Sequence, residues 1–375
     1  MPLPCGCHPM TRKQRILSAL RGEPVSQVPF VTYNLHPYAD SPHLHDPSYR
    51  DLLDLVEQKA GMYCKRSLPP VSDVGPRLVR RDEQDGDLTI TTTIMPTPKG
   101  DLRNVVVTPQ DQPASVTEHF VKTDLDIERY MSLPWKPPEY DPTPLNRFAE
   151  QLADRGVIAV SYADPMYAAA SLFDFTEYCV RYATDPAGLI RLMDHLFEQI
   201  AEDTRRKALA CKGSDVVFLT AGPELATPPM MPPRAFAELV TPYQKRLIEI
   251  IHDAGHLAMI HCHGRVRDVL EHMIETGVDA IEPIEPPPQG DITLAELVRR
   301  SDGRLSFVGH IQDQQFHGAP DGTMTRHVEE IARAVDGGTG YVMAPTCTPF
   351  QYPATSTFLR NYTEWIEAAS RILGS

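Results

Sequence analysis

No run of 18 apolar residues occurs in the chain, which excludes a hydrophobic helix crossing a bilayer. Positive charge is scarce as well. The 36 Lys and Arg stand against 50 Asp and Glu, and the formal charge of −14 disfavours nucleic acid or an anionic membrane as a general partner. The seven cysteines are scattered and odd in number, which suits reduced thiols in a cytoplasmic protein better than a disulfide framework. A basic-then-apolar signal is missing from the N-terminus, where residues 1–9 read as a disordered leader. Its Cys5-Gly-Cys7-His8 cluster is metal-compatible in type, but chain ends are usually poorly ordered. No Gly-x-Gly-x-x-Gly follows the first strand, which weighs against an open dinucleotide-binding sheet.

What the chain has is a long alternation of strands and helices. Thr11 and Gly22 bracket a first helix over Arg12 to Arg21. From about residue 145 onward, strands are predicted at Val157–Ser161, Val216–Leu219, Leu257–Ile260, Ala280–Glu282, Leu305–Val308 and Tyr341–Met343, with helices between them. With Val28–Thr32 and a strand near Met62, the count reaches eight. That number predicts an α/β fold, a (β/α)8 TIM barrel, spanning residues 10–375 as one domain. Residues 61–122 depart from the rhythm and read as an inserted antiparallel flap around the turn Pro98-Lys-Gly-Asp101, so the barrel carries an N-terminal helical and β-hairpin elaboration.

The chemistry concentrates in His256-Leu-Ala-Met-Ile-His-Cys-His-Gly264. Strand side chains alternate, so His261 and His263 leave on one face while Cys262 points away. Two imidazoles at a strand end, followed by a glycine turn, suit a metal ion. In such barrels the site lies where strands run into βα loops. Those positions hold Asp164, Glu224, Glu282, Glu285, His310, Gln312 and Cys347, with Tyr33 and His36 in the loop after the first strand. His261, His263, Cys347 and Glu224 are the candidate metal ligands. Glu224, Glu282 and Glu285 are candidates for moving a proton or orienting substrate. Tyr33, His36, Asp164, His310 and Gln312 are candidates for binding substrate. Inert alternatives stand beside these roles: a packed thiol at Cys347, a turn-capping carboxylate at Glu224, and solvated rim carboxylates at Glu282 and Glu285. Asp291 reads most simply as the N-cap of the next helix.

Several segments together carry a resemblance. Met10-Thr-Arg-Lys-Gln-Arg-Ile-Leu-Ser-Ala-Leu-Arg-Gly-Glu-Pro24, Val28-Pro29, Pro242-Tyr-Gln-Lys-Arg-Leu247, Ile251-His-Asp-Ala-Gly255, the His261/His263-Gly264 segment, Gly277-Val-Asp-Ala280 and Gly309-His-Ile311 are similar to the uroporphyrinogen decarboxylase superfamily, whose fold is a TIM barrel. True decarboxylases of that superfamily carry Arg-Gln-Ala-Gly-Arg-Tyr to grip substrate carboxylates. The matching region here is Thr32-Tyr-Asn-Leu-His-Pro-Tyr38, without arginine. The cobamide-dependent methyltransferase branch binds zinc through His-x-Cys-Gly at one strand end and a cysteine at the last. His261, Gly264 and Cys347 match that pattern, and His263 stands in place of its first cysteine.

The resemblance implies a zinc-dependent methyltransferase. A methyl group would move between a small methylated substrate, such as a methyl ether, or a thiol acceptor, and a corrinoid. An Asp-x-His-x-x-Gly corrinoid-binding pattern is absent, so the corrinoid (cobalamin) would arrive on a separate partner protein. An imidazole in place of a thiolate leaves the ion more electrophilic, which favours polarising an oxygen-bearing methyl donor. Two readings of other classes stay open: a metal-independent decarboxylase-like lyase acting on another carboxylic acid, and a non-catalytic binding protein. The sequence leaves a homodimer open.

Overall fold

The computed structural model describes residues 10–38, 40–72, 75–335 and 340–374. The predicted leader, residues 1–9, lies outside the described residues. Two strands come first: β1 (Val31–Tyr33) and β2 (Gly61–Arg66). A separate antiparallel sheet follows, built from β3 (Val79–Asp85), β4 (Leu88–Met95), β5 (Leu102–Pro109) and β6 (Ser115–Glu118). The remaining strands are β7 (Gly156–Ser161), β8 (Val216–Ala221), β9 (Leu257–His261), β10 (Ala280–Ile284), β11 (Ser306–Ile311) and β12 (Tyr341–Pro345). These six continue a parallel sheet in the order β1-β2-β7-β8-β9-β10-β11-β12. A parallel bridge from Phe30 to Met343, with the Met343 N–H donating to the Pro29 carbonyl at 2.9 Å, brings the last strand back to the first. The fold is a (β/α)8 TIM barrel with its helices outside.

Alternation along the strands sorts two cores. Tyr33, Tyr63, Ala159, Leu219, Met259, Val308 and Val342 pack together inside the barrel. Their neighbours Cys64, Ile158, Phe218, Ile260, Phe307 and Met343 pack outward against the helices. The helix Arg12–Leu20 plugs the lower end: its Ile16, Leu17 and Leu20 join the inner core, and Ser306, at the start of β11, donates to the Ala19 carbonyl at 2.9 Å. A reciprocal capping box starts that helix, with the Gln14 N–H donating to Thr11 Oγ1 and the Thr11 N–H to Gln14 Oε1. With this end covered by the helix, the opposite mouth is where the strands end and the βα loops begin.

The antiparallel flap is real, but it starts later than the sequence predicts. Residues 61–66 pair in parallel with β1 and β7 and belong to the barrel. The turn Pro98-Lys-Gly-Asp101 does connect β4 to β5. Strand β3 lies wholly exposed at the sheet edge, so its sequence shows no apolar alternation to read. Asp291 is not a helix N-cap. Thr293 caps the helix Leu294–Ser301, while Asp291 Oδ1 accepts from the Val266 and Arg267 N–H groups at 3.0 Å each. No helix among the described residues is long and apolar enough to cross a membrane.

Strands β2 and β7 approach closely at Gly156. A Cβ there would fall 2.0 Å from the Met62 carbonyl oxygen, a backbone atom that cannot give way alone. Gly156→Ala is therefore expected to lower the unfolding free energy by about 3 kcal/mol, read from urea titration. A loss under about 0.5 kcal/mol would show that the two strands are not held this close.

Candidate functional site at the barrel mouth

Parallel register places Ile260 beside Ile281 and His261 beside Glu282. Both side chains of the second pair point into the mouth, and His261 Nδ1 lies 2.9 Å from Glu282 Oε1. The Tyr33 hydroxyl donates to the same carboxylate oxygen at 3.2 Å and lies 3.4 Å from His261 Nδ1. Lys65 completes the group, its Nζ 3.4 Å from Glu282 Oε1 and 4.5 Å from the centre of the Tyr33 ring. Glu282 is fully buried. Burial alone would push its carboxyl up; the facing charges of His261 and Lys65, with the His261 and Tyr33 hydrogen bonds, outweigh it and hold the carboxyl at about 2. At neutral pH Glu282 is an anion that fixes one edge of the His261 ring.

A second pair repeats the arrangement one step outward. His263 Nδ1 lies 3.3 Å from Glu285 Oε2, and the Gly264 N–H donates to that oxygen at 2.7 Å. Gly264 turns the backbone with φ +82, the conformation the sequence predicts for it. The hydrogen bond to Glu285 raises the His263 imidazole against the opposing effect of burial. Burial works to raise the Glu285 carboxyl, but its bonds to His263, Gly264 and Gln312 bring it down. The two imidazole rings sit 4.6 Å apart, nearly perpendicular. His261 is 13% exposed and His263 43%, so the pair runs from the barrel interior to open solvent.

Cys347 faces the same space. A cavity of about 440 Å³ is lined by His263, Glu285, Gln312, Asp313, His317 and Cys347. Burial and the nearby Asp313 raise the Cys347 thiol, which donates to the Thr348 carbonyl at 3.3 Å. Glu224 sits close enough to raise the His263 imidazole, yet its carboxylate also accepts the Gly222 N–H at 3.0 Å, as a turn cap would. Gln312 bridges Glu285 at 3.3 Å and so joins the site.

A carboxylate bound to Nδ1 orients an imidazole so that Nε2 faces outward as a donor to metal. His261 and His263 both have that geometry, and two imidazoles with a nearby thiol are a donor set zinc accepts. The set is not gathered. Among the described residues, no group of three or more His, Cys, Asp and Glu side chains is arranged to hold a metal ion. The fit therefore rests on the two imidazoles, with Cys347 and Glu224 near them.

Three sequence-predicted substrate residues lie outside this network. His36 is buried, with Nε2 3.1 Å from Arg66 and its ring against Tyr38 and Phe148; burial, then Arg66, lowers it to about 4. Asp164 is the N-cap of the helix Pro165–Ala170, accepting from the Tyr167 N–H at 2.7 Å and from the buried Gln244 amide. Its burial raises the carboxyl to about 6. His310 falls within β11, not after it, at φ +79, and lines a different cavity. Sequence reasoning missed Lys65. The signal was available in the alternation Tyr63, Lys65 along β2, had that strand been followed to its end.

The model of the family described as uroporphyrinogen decarboxylase (URO-D) matches residues 111–371. Among solved structures, a methyltransferase from Methanosarcina mazei is similar over 96% of this chain and 99% of its own, at 18% identity and a TM-score of 0.59. That is a likeness of fold. D-psicose 3-epimerase from Clostridium cellulolyticum H10 aligns over 68% of this chain and 94% of its own, at 9% identity and a TM-score of 0.37. 3-Keto-D-glucoside 4-epimerase from E. coli aligns over 65% and 93%, at 12% identity and a TM-score of 0.37. No curated protein matches the chain.

Proposed function

Since the chain belongs to the uroporphyrinogen decarboxylase (URO-D) family, we propose that its barrel mouth is the site of a zinc-dependent methyl transfer. The methyl group passes between a small methylated substrate, or a thiol acceptor, and a corrinoid carried by a separate protein. The observation that carries this reading is the pair of imidazoles, each bound at Nδ1 by its own glutamate, in a mouth that also holds a cysteine. The whole-chain likeness in fold to a methyltransferase from Methanosarcina mazei supports it. So does the segment where true decarboxylases carry arginines, because here Tyr33 of that segment bonds Glu282 instead.

His261 and His263 would hold the zinc, with Cys347 or Glu224 as further ligands. Bound there, zinc supplies a Lewis acid that polarises an oxygen or sulfur. The chain's own contribution is orientation and charge. Glu282 keeps the His261 ring in one tautomer and rotamer, Lys65 balances the buried carboxylate, and Tyr33 donates to the same carboxylate oxygen. Glu285 does the same for His263 and tethers Gln312 at the edge of the cavity. The Cys347 thiol stays protonated without a metal, because burial and Asp313 both oppose its ionisation.

The test supplies zinc-loaded protein with a reduced corrinoid protein and an aryl methyl ether, or with a methylated corrinoid protein and a thiol. Imidazole in the place of a thiolate favours the ether, so demethylation with formation of methylcorrinoid is expected. Turnover only with the thiol would reverse the direction. No transfer in either mixture, alongside decarboxylation of a carboxylic acid without metal, would favour the lyase.

A further inference from the structure

A second cavity lies behind the mouth, outside the barrel wall. It has a volume of about 350 Å³, and Leu294 and Ile331, on two neighbouring outer helices, form part of its lining. It shares no lining residue with the mouth cavity, yet the two lie back to back along the same two segments. Glu285 lines the mouth while Pro286 and Pro287 line the second cavity, and Gln312 lines the mouth while His310 and Gln315 line the second.

His310 makes this cavity what it is. On a regular strand it would point along with Val308 into the barrel. Gly309 at φ +133 and His310 at φ +79 break the alternation, and the imidazole turns to the outer side. Gly309 is required there, since a Cβ would fall 2.7 Å from the Ile284 backbone nitrogen. A non-glycine residue at positive φ is strained and persists where its surroundings demand it. The redirected side chain is also under-satisfied: His310 Nδ1 and the neighbouring Gln315 Oε1 are buried without a hydrogen-bond partner.

The lining chemistry narrows the ligand. Two imidazoles, His310 and His327, share the cavity, and burial lowers both, His310 to about 4, so both are neutral at physiological pH. No Lys or Arg lines it among the described residues, and Glu330 does, so nothing there attracts an anion. Apart from Gln315 and Thr293, the remaining walls are proline and aliphatic. We propose that this cavity binds an uncharged aromatic alcohol of one or two rings. Its hydroxyl accepts from the His310 Nδ1–H and donates to Gln315 Oε1, the two atoms left without a partner, and its ring packs on the apolar walls and the imidazole faces.

The test needs neither metal nor corrinoid, so it succeeds or fails independently of the reading of the mouth. The full-length protein is titrated by calorimetry with 2-naphthol and, in parallel, with 2-naphthoate, which has the same rings and a negative charge. Saturable binding of 2-naphthol with a Kd on the order of 1 mM or tighter is expected, with binding of 2-naphthoate at least tenfold weaker. His310→Gly removes the imidazole at a backbone conformation glycine accepts, and Ala334→Phe fills the cavity from the opposite wall without touching His310. Each is expected to weaken 2-naphthol at least tenfold while keeping the wild-type circular dichroism spectrum and thermal unfolding. Binding unchanged in both variants, equal binding of 2-naphthoate, or no saturable binding by the wild-type protein would overturn the proposal.

Discussion

Replacing Lys65 with methionine is expected to destabilise the protein by about 3–5 kcal/mol at pH 7, the range found when one partner of a buried ion pair is removed. The reason is Glu282, not lysine itself. Glu282 has no exposed surface, and its carboxylate is stabilised by three groups that reach it from three different strands: His261, Lys65 and Tyr33. Methionine keeps the length and apolar stem of lysine but removes the ammonium that faces the carboxylate. The His261 and Tyr33 hydrogen bonds alone must then hold the buried carboxylate, or Glu282 must take up a proton. The double variant Lys65→Met/Glu282→Gln removes both charges and is expected to recover more than half of the loss. A single variant that unfolds within about 1 kcal/mol of the wild type would show that Lys65 is a solvated bystander.

Acid should expose the same network from the other side. The Glu282 carboxyl is held at about 2 against an ordinary value of 4.5. A folded-state value below the unfolded one means that the unfolded chain binds the proton more readily. The stabilisation is therefore complete above the ordinary value and is lost as pH falls from about 5 toward 2. The shift corresponds to a contribution on the order of 3 kcal/mol. Comparison of urea unfolding for wild type and Glu282→Gln over this window isolates it, because the other carboxylates are common to both. The wild type is expected to lose that much more stability than the variant between pH 5 and pH 2. Parallel curves would show that Glu282 is not ionised in its buried position.

The parts of the fold that sequence reading placed well are those where burial on both sides leaves unbroken apolar runs. Val157–Val160, Val216–Leu219 and Leu257–Ile260 are such runs, and each lies within a barrel strand. The opposite faces of His261 and Cys262 followed from the same period of two, and Cys262 is indeed buried in the outer core. What stayed hidden had physical reasons. The edge strand Val79–Asp85 meets water on every residue, so no hydrophobic pattern marks it. His310 left the mouth because two consecutive positive-φ residues interrupt the alternation, and no side-chain pattern announces a backbone torsion. Asp164 is a strand-end acid in sequence and a helix cap in space, two roles with one residue type. The match of His261 to Glu282 depends on strand register between β9 and β10, which neither strand's own sequence specifies.

The proposed metal site at the barrel mouth is held by His261 at the end of β9 and His263 in the loop after it. The most direct measurement is metal content, by elemental analysis, of protein produced with zinc and then dialysed against metal-free buffer. Wild type is expected to keep about one zinc per chain, as a site of this ligand type does. The His261→Ala/His263→Ala variant should keep none while retaining its circular dichroism spectrum. Wild-type protein that holds no zinc, or a double variant that holds as much as the wild type, would contradict the claim.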